Sequence, residues 1–558
     1  MLQTQLADVA VERLDPAALA AANDSRIAAL AEADDLVALV DAWDAEQRDW
    51  STHQHLAGIR FCQDTRDEGV KADKQYYDEH GPSVTEQRVA FLRALLASPR
   101  RDELQAAYGT HALRLFEQSL TTFEPAIADD LRAEKALAND YDELRATIRA
   151  EVDGVSYSLP RLSGLYGDAD RGVRYRARVA QATALGEHQD ALDRIYDEQV
   201  AVRTRMAKTL GFDRYTRLGY ARLRRTDYGP EQVAVFREAI REHVVPLVTA
   251  IRARHAEQLG LDDYGYHDES VSDLRGVPRP AGDHDWMVGQ AEGLFAELGP
   301  DFRDFFVLMR DHGLLDLKAR DGKLGGGFCE GLPSLGVPFI FANFNGTQDD
   351  VEVFTHEVGH AYQWYQARGA RLLDLQWPTM EACEIHSMGL EMLTHPQMDR
   401  FFGDDAERWR RGHLEGALLF LPYGALVDHF QHEVYDHPEL GPEERAARWR
   451  SLEQDYLPTR RYVDTPYFEG GRLWQRQGHL FHEPFYYIDY CLAQACALQL
   501  WARARRDREG TLTLYRELCR LGGSMAFTDL LAAVGLENPF EPGVLARTLA
   551  PIREALEL

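Results

Sequence analysis

The chain has 558 residues, 45% of them hydrophobic, which is enough for a large core and, by size alone, for several domains. Its formal net charge of −29 argues against a nucleic-acid ligand, because phosphate backbones select basic surfaces. No stretch approaches the uninterrupted run of about 18 apolar residues that a membrane span needs, so none is expected.

The first residues of the chain and its cysteines favour one cellular compartment. Residues 1 to 22 lack the basic start and the long apolar run of a secretory signal. The six cysteines are scattered through a large chain, which is typical of reduced thiols rather than of a disulfide framework. We therefore expect a cytoplasmic protein, and no feature of the sequence indicates an obligate protein partner.

Residues 1 to about 320 predict one helix after another, because apolar residues recur at three- and four-residue spacing. Breaks are expected where glycine meets proline, as at Gly81-Pro82 and Gly229-Pro230. No low-complexity linker separates these segments, which favours lobes of one body over independent beads. We assign residues 1–150 to an N-terminal helical lobe and residues 151–558 to a second region.

A small sheet is expected at about residues 317–350. Residues 325–329 (Gly-Gly-Gly-Phe-Cys) and residues 337–344 have the pattern of strands, with glycine and proline between them. The glycines Gly326 and Gly327 suggest that another backbone approaches closely. The residues leave two interpretations equally open: an ordinary hairpin, or an edge strand that pairs with an extended peptide through main-chain hydrogen bonds.

The next segment contains His356-Glu357-Val358-Gly359-His360, within a helix that apolar spacing predicts. Residues four apart lie on one helix face, so His356 and His360 can direct two imidazoles at one metal ion. Glu357 lies beside them, where a carboxylate can take a proton from metal-bound water. This pattern is typical of zinc peptidases. We place the metal helices at about residues 350–395.

A zinc site needs a third protein ligand, and its position separates the classes of zinc peptidase. A metzincin is excluded, because its glycine and histidine positions are Gln363 and Gln366 here. A thermolysin-like enzyme has glutamate about 19 or 20 residues after the second histidine, where this chain has Thr379 and Met380. The following helix instead offers Glu384, with Glu381 one turn earlier as the competing ligand.

A last segment of interest spans about residues 456–490. Its first part, up to Gly478, is rich in proline and glycine and predicts a long irregular loop, which in a compact enzyme is often functional. The loop leads into residues 479–490, which are rich in histidine and tyrosine. Five of these residues are candidate donors to a developing negative charge: His479, His482, Tyr486, Tyr487 and Tyr490.

Together these blocks resemble the thimet oligopeptidase and oligoendopeptidase F family of zinc endopeptidases, nearest to the bacterial Pz-peptidase type. One block is Phe341-Ala342-Asn343-Phe344-Asn345-Gly346-Thr347 before the His-Glu-x-x-His helix. A second is Glu-x-x-Ser-x-x-x-Glu, met by Glu384, Ser387 and Glu391, and a third is residues 479–490. The likeness covers about residues 200 to 500 and selects Glu384 over Glu381 as the third ligand.

The resemblance implies a mainly helical ellipsoid of two lobes that enclose a deep channel, with a small β-sheet beside the zinc helix. It implies a zinc endopeptidase of short peptides, with one Zn²⁺ per chain held by His356, His360 and Glu384. After the resemblance, the edge-strand interpretation of Gly326 and Gly327 is favoured. The histidines and tyrosines of residues 479–490 are then expected to face the substrate, with Tyr490 and His479 as catalytic donors.

Glu357 is expected to activate the attacking water, and Glu381 and Glu391 to orient the ligand histidines. The whole of residues 151–558 then forms the catalytic region. Two other functions stay open: a zinc exopeptidase, which product analysis would distinguish, and a non-catalytic peptide-binding protein, against which the presence of Glu357 argues.

Overall fold

The structure, a computed structural model, describes residues 4–558 and is mainly helical. The α-helices of the described residues are α1 Pro16–Ala29, α2 Leu36–Gln63, α3 Glu68–Leu96, α4 Arg101–Thr121, α5 Ala128–Thr147, α6 Leu159–Ser163, α7 Arg171–Gly186, α8 Gln189–Thr209, α9 Tyr215–Arg222, α10 Pro230–His243, α11 Val245–Gln258, α12 His284–Leu298, α13 Pro300–Asp311, α14 Gln348–Ala367, α15 Met380–Leu393, α16 Asp399–Phe402, α17 Ala406–Asp436, α18 Pro442–Tyr456, α19 Gly478–His482, α20 Tyr487–Ala504, α21 Arg508–Leu521, α22 Phe527–Val534 and α23 Val544–Leu556. None of these helices combines the length and apolar character that a bilayer crossing requires.

The strands form two small sheets. Strands β1 (Arg149–Val152) and β2 (Val155–Ser158) form a hairpin, and strands β3 (Leu315–Lys318), β4 (Phe328–Leu332) and β5 (Val337–Phe344) form a sheet in the order β3-β5-β4. The central strand β5 pairs in parallel with β3 and antiparallel with β4. Strand β5 runs into α14, so the sheet lies beside the His-Glu-x-x-His helix, as predicted.

The hairpin β1–β2 was not predicted, since residues 1 to 320 read as helices alone. Its turn is Asp153-Gly154, and both residues have positive φ, at 52° and 78°. A type I′ turn needs positive φ at both central positions, and Asp-Gly is one of the pairs that meet this need. The dipeptide Asp153-Gly154 was therefore a local signal for a hairpin, although the residues around it predicted helices.

The break predicted at Gly81-Pro82 is also wrong, because α3 continues through Pro82. Helices α1 to α4 contribute to two small cores, one around Trp43 and Phe91 and one around Trp50 and Tyr77. The first also includes Leu372 and Leu375, which follow α14. Helix α5 already contributes Tyr141 to the main core. The division of the chain near residue 150 stays a prediction.

The main core is built around α14, α15, α17 and α20. Helix α15 packs against α14 on one side and α20 on the other, and α20 also packs against α17. Helix α20 is buried over most of its length, with Cys491, Cys496 and neighbouring alanines allowing the close approach of other helices. This arrangement fixes the two helices that carry the candidate metal ligands at the centre of the molecule.

Candidate active site

Helices α14 and α15 approach closely because a glycine separates the two histidines of the motif. A Cβ atom at Gly359 would lie 2.5 Å from the carbonyl oxygen of His386 and 2.7 Å from the Cα atom of Ser387. Real Cβ atoms do not come this close to backbone atoms, so only glycine permits this spacing of the two helices. The close contact brings Glu384 on α15 to the histidines on α14.

The three candidate ligands converge at one point. The Nε2 atom of His356 lies 3.2 Å from Oε2 of Glu384, and Nε2 of His360 lies 3.5 Å from the same oxygen. One donor atom from each residue lies within 4.8 Å of the others, and no further His, Cys, Asp or Glu group of this kind occurs among residues 4–558. Ser387 donates a hydrogen bond of 2.9 Å to Oε2 of Glu384 and so holds this carboxylate in place.

Glu357 and the two histidines line one cavity, which has a volume of about 680 Å³. The side chain of Glu357 is 7% exposed, and its Oε2 atom has no hydrogen-bond partner. Burial raises the pKa of Glu357, with the neighbouring histidines opposing this effect. A carboxylate whose proton affinity is raised, and whose oxygen is free, can act as a base toward a water molecule in the cavity.

A chain of hydrogen bonds fixes the orientation of His356 from behind. Glu391 accepts from Nδ1 of His356 at 2.7 Å and from Nε2 of His413 at 2.8 Å. The Nδ1 atom of His413 contacts Nε2 of His395 at 2.9 Å, and the Nε1 atom of Trp501 donates to Nδ1 of His395 at 3.3 Å. Hydrogen bonds from the two histidines lower the pKa of Glu391 to about 2, although burial acts in the opposite direction.

This chain also determines the tautomers of its members. The Trp501 indole can only donate, so Nδ1 of His395 accepts and its Nε2–H donates to His413. His413 then donates its own Nε2–H to Glu391, which accepts from Nδ1–H of His356 as well. In neutral His356 the Nε2 lone pair is therefore free, and it faces Glu384 and the cavity.

The predicted histidines and tyrosines of residues 479–490 divide between two cavities. Tyr486, Tyr490 and His482 line a cavity of about 680 Å³ together with the metal-site residues. His479 and Tyr487 line an adjoining cavity of about 480 Å³, in whose wall Tyr490 also lies. Tyr490 therefore stands where the two cavities meet.

Tyr486 and His482 have definite partners. The hydroxyl of Tyr486 donates a hydrogen bond of 2.6 Å to Oε1 of Glu384. The Nε2 atom of His482 lies 3.0 Å from Oδ1 of Asp142, a residue of α5. His479 accepts from Gln477, and its ring lies 5.8 Å from that of Tyr490.

Glu381 does not orient a ligand histidine, contrary to the prediction. Its side chain is fully buried and neither carboxylate oxygen has a hydrogen-bond partner. It lies instead near Arg225, which forms a buried ion pair with Asp489. Burial raises the pKa of Glu381. The reason is its place on α15: it points toward α20, whereas Glu384 and Glu391 point toward α14 and α17.

The glycine segment lies beside the site but is not part of the strand, which begins at Phe328 rather than at Gly325. Gly326 has φ +93°, a left-handed conformation that interrupts the extended strand. A Cβ at Gly327 would lie 3.5 Å from Oε1 of Glu357, so this residue is directly beside the candidate base. Gly327 lines the larger cavity, whereas the carbonyl of Gly326 accepts a hydrogen bond from Asn343.

Strand β4 is an edge of its sheet, and residues 327–330 line the same cavity as Glu357. The edge is partly covered at its other end, where His55 of α2 lies 2.9 Å from the carbonyl oxygen of Gly331. Main-chain groups at the first residues of β4 are thus positioned along the cavity wall.

Sequence reasoning missed His413, His395 and Trp501, which extend the hydrogen-bond chain behind His356. None of them lies in a motif, and they come from three separate segments of the chain. The one available signal was that Glu391, as a buried carboxylate with two oxygens, needs a second partner besides His356.

In this mainly helical protein, the His-Glu-x-x-His motif faces a glutamate of the next helix at the wall of a deep cavity. This arrangement defines the class of protein as a metallopeptidase. The sequence profile described as Peptidase family M3 matches residues 304–548, and that of the Peptidase M3 N-terminal domain matches residues 6–123. The chain belongs to peptidase family M3, and the predicted family and mainly helical fold are confirmed.

Solved structures of other proteins are similar to this chain over its whole length. A protein assigned as oligoendopeptidase F is 41% identical, with a TM-score of 0.94 and 99% of each chain covered. PZ peptidase A, solved with an inhibitor, is 39% identical, also with a TM-score of 0.94 and 99% of each chain covered. A protein from Bacillus anthracis assigned as oligoendopeptidase F is 38% identical, with a TM-score of 0.90, and covers 100% of this chain and 99% of its own. No curated protein matches the chain.

Proposed function

We propose that this protein is a zinc-dependent endopeptidase that cleaves internal bonds of short peptides. The observation that carries the proposal is the convergence of His356, His360 and Glu384 beside the free carboxylate oxygen of Glu357, at the wall of one cavity. The similar structures support it, since oligoendopeptidase F and PZ peptidase A are peptidases by name.

The donor set fits zinc. Four ligands at tetrahedral angles, with bonds of about 2.0–2.1 Å, place donor atoms about 3.3 Å apart. The two histidine–glutamate separations of 3.2 and 3.5 Å match this spacing. Two neutral nitrogens and one carboxylate leave a fourth position free, which is typical of catalytic rather than structural zinc. We assign one Zn²⁺ per chain to these residues.

Zinc bound by His356, His360 and Glu384 would supply a Lewis acid, which would polarise the scissile carbonyl and lower the pKa of water. Glu357 accepts the proton of the attacking water and delivers it to the leaving amine. Tyr490 donates a hydrogen bond to the carbonyl oxygen as negative charge develops on it. His479, which lines the adjoining cavity, is the second candidate donor to this oxygen. Glu391 keeps the Nε2 atom of His356 directed at the site.

The peptide is proposed to run along the edge of β4. Main-chain groups near Gly327 pair with the substrate backbone, which tolerates varied side chains. Tyr486 and His482 line the same cavity as Gly327, Tyr487 lines the adjoining cavity, and Gly326 precedes Gly327 just before the strand. We assign these residues to substrate binding. A cavity of about 680 Å³, with an adjoining one of about 480 Å³, suits a short extended peptide rather than a folded protein.

The test of this function is cleavage of an internally quenched peptide of about ten residues by the zinc-loaded protein, by chelator-treated protein, and after zinc is added back. We expect internal cleavage that the chelator abolishes and zinc restores. Mass spectrometry of the products distinguishes this from release of terminal residues, which would indicate the exopeptidase alternative. No cleavage of any short peptide by the zinc-loaded protein would indicate a binding role.

Replacement of Glu391 by glutamine is expected to weaken zinc binding about 10- to 100-fold. Glutamine has one acceptor oxygen where glutamate has two, so its amide N–H group must face the N–H of either His356 or His413. Competition with a chromogenic chelator measures the change. The control is Glu381→Gln on the same helix, which touches neither histidine. Equal zinc affinities in both variants would contradict the role of Glu391.

Replacement of Tyr490 and of Tyr486 by phenylalanine is expected to affect two different properties, catalysis and zinc binding. Tyr490→Phe should lower kcat about 100- to 1000-fold with zinc affinity unchanged, because only a donor to the reacting carbonyl is removed. Tyr486→Phe should weaken zinc binding, because its hydroxyl donates to the ligand Glu384. Steady-state kinetics and zinc competition on both variants check this. Normal kcat in Tyr490→Phe would shift the oxyanion role to His479.

A further inference from the structure

A further cavity, separate from the two cavities described above, lies between α15, α17, α20, α21 and α23. It is lined in part by His395 and Trp501, the outer members of the hydrogen-bond chain behind His356. Its volume is about 400 Å³, and it shares no lining residue with the cavity that contains His356 and Glu357. Apolar walls come from Met392, Leu414, Trp501 and Leu556. A ligand bound there would not compete with a peptide at the metal site.

The charged side chains of this cavity are mostly positive, in a chain that has 91 acidic and 62 basic residues. Four arginines line it, against the single acid Glu407. Two of them are neutralised: Arg410 pairs with Asp399 at 2.6 Å, and Arg411 contacts Glu415 at 3.2 Å.

The other two arginines, Arg505 and Arg508, pair with no carboxylate within 4.0 Å among residues 4–558. Arg508 donates only to neutral oxygens, the carbonyl of Leu393 at 3.2 Å and the amide of Gln397 at 3.0 Å. The guanidinium of Arg505 lies over the ring of Trp501, 4.9 Å from its centroid. These contacts hold both side chains at the cavity without cancelling their charge.

We propose that this cavity binds a small organic anion, with its carboxylate or phosphate head on Arg505 and Arg508 and its apolar body against Leu414, Trp501 and Leu556. Guanidinium groups recognise carboxylates and phosphates with paired N–H donors. An inorganic ion on the two arginines would leave most of the 400 Å³ cavity, including its apolar wall, unfilled, so the ligand carries a hydrocarbon part.

The experiment is calorimetric titration of the full-length, zinc-loaded protein with four probes: hexanoate, phenyl phosphate, neutral hexanamide and inorganic phosphate. We expect binding of at least one organic anion, and at least tenfold weaker binding of both hexanamide and inorganic phosphate. The stronger of hexanoate and phenyl phosphate identifies the head group. If none of the probes binds, or if hexanamide or inorganic phosphate binds as tightly as the organic anions, the proposal is overturned.

Variants locate the site. Arg505→Gln/Arg508→Gln should weaken binding of the organic anion at least tenfold, and Arg506→Gln, an exposed neighbour outside the cavity lining, should leave it unchanged. If the double variant does not fold, Arg505→Gln alone serves, since this exposed side chain makes no hydrogen bond. A carboxylate bound at the metal instead would survive these substitutions and disappear in zinc-free protein, and that result would refute the proposal.

Discussion

Replacement of Glu357 by glutamine is expected to lower kcat/KM about 100- to 10,000-fold while zinc stays bound. Glutamine has nearly the same shape, so the packing around the buried side chain is kept, but an amide cannot accept the proton of the attacking water. Glu357 is not among the three donor atoms that converge, so the metal site itself is unaltered. Quenched-peptide kinetics and zinc content per chain are the two measurements.

The matched control is Asp349→Asn, an exposed acid two turns earlier on the same helix, which should cleave at the unaltered rate. Normal cleavage by the Glu357→Gln protein would refute its role as the base. Loss of zinc from that variant would instead mean that Glu357 acts on the metal site rather than on water.

Replacement of Gly359 by alanine is expected to separate α14 from α15 and so to disperse the metal site. The added Cβ would meet two backbone atoms of α15, at 2.5 and 2.7 Å, which cannot move aside as a side chain could. Overpacking of this kind costs about 1–3 kcal/mol of stability. Because Glu384 belongs to the displaced helix, we also expect zinc affinity to fall at least tenfold. Thermal unfolding of the zinc-free protein and chelator competition measure the two effects separately.

Gly289→Ala provides the comparison, since Gly289 is an exposed glycine within α12 and a Cβ there meets nothing within 4 Å. Removal of a glycine from a helix interior should leave stability the same or raise it by about 0.5–1 kcal/mol. A Gly359→Ala protein with unchanged stability and zinc affinity would show that the two helices can adjust, and that the glycine does not set their spacing.

The metal helices were the easiest part of the chain to predict. The candidate ligands His356 and His360 and the candidate base Glu357 lie within about one helical turn, and the geometry of a helix relates their positions directly to their spacing. Strand β5 was also predictable, because its apolar run and the helix that follows it are continuous in sequence. Glu384 could only be separated from Glu381 by family resemblance, because both lie one turn apart on the same helix.

The sequence by itself determined the mainly helical class, the position of the sheet and the residues that converge on α14, because local periodicity and spacing control these features. The spacing of residues along α15 left Glu384 and Glu381 both open as the third ligand. The tertiary structure separates them, because it brings Glu384 to the histidines and Glu381 to Arg225 and Asp489. The hydrogen-bond chain through His413, His395 and Trp501 could not be predicted from the sequence, because the packing of α15, α17 and α20 brings its members together. Contacts between distant segments depend on how helices pack, and no local pattern records that packing.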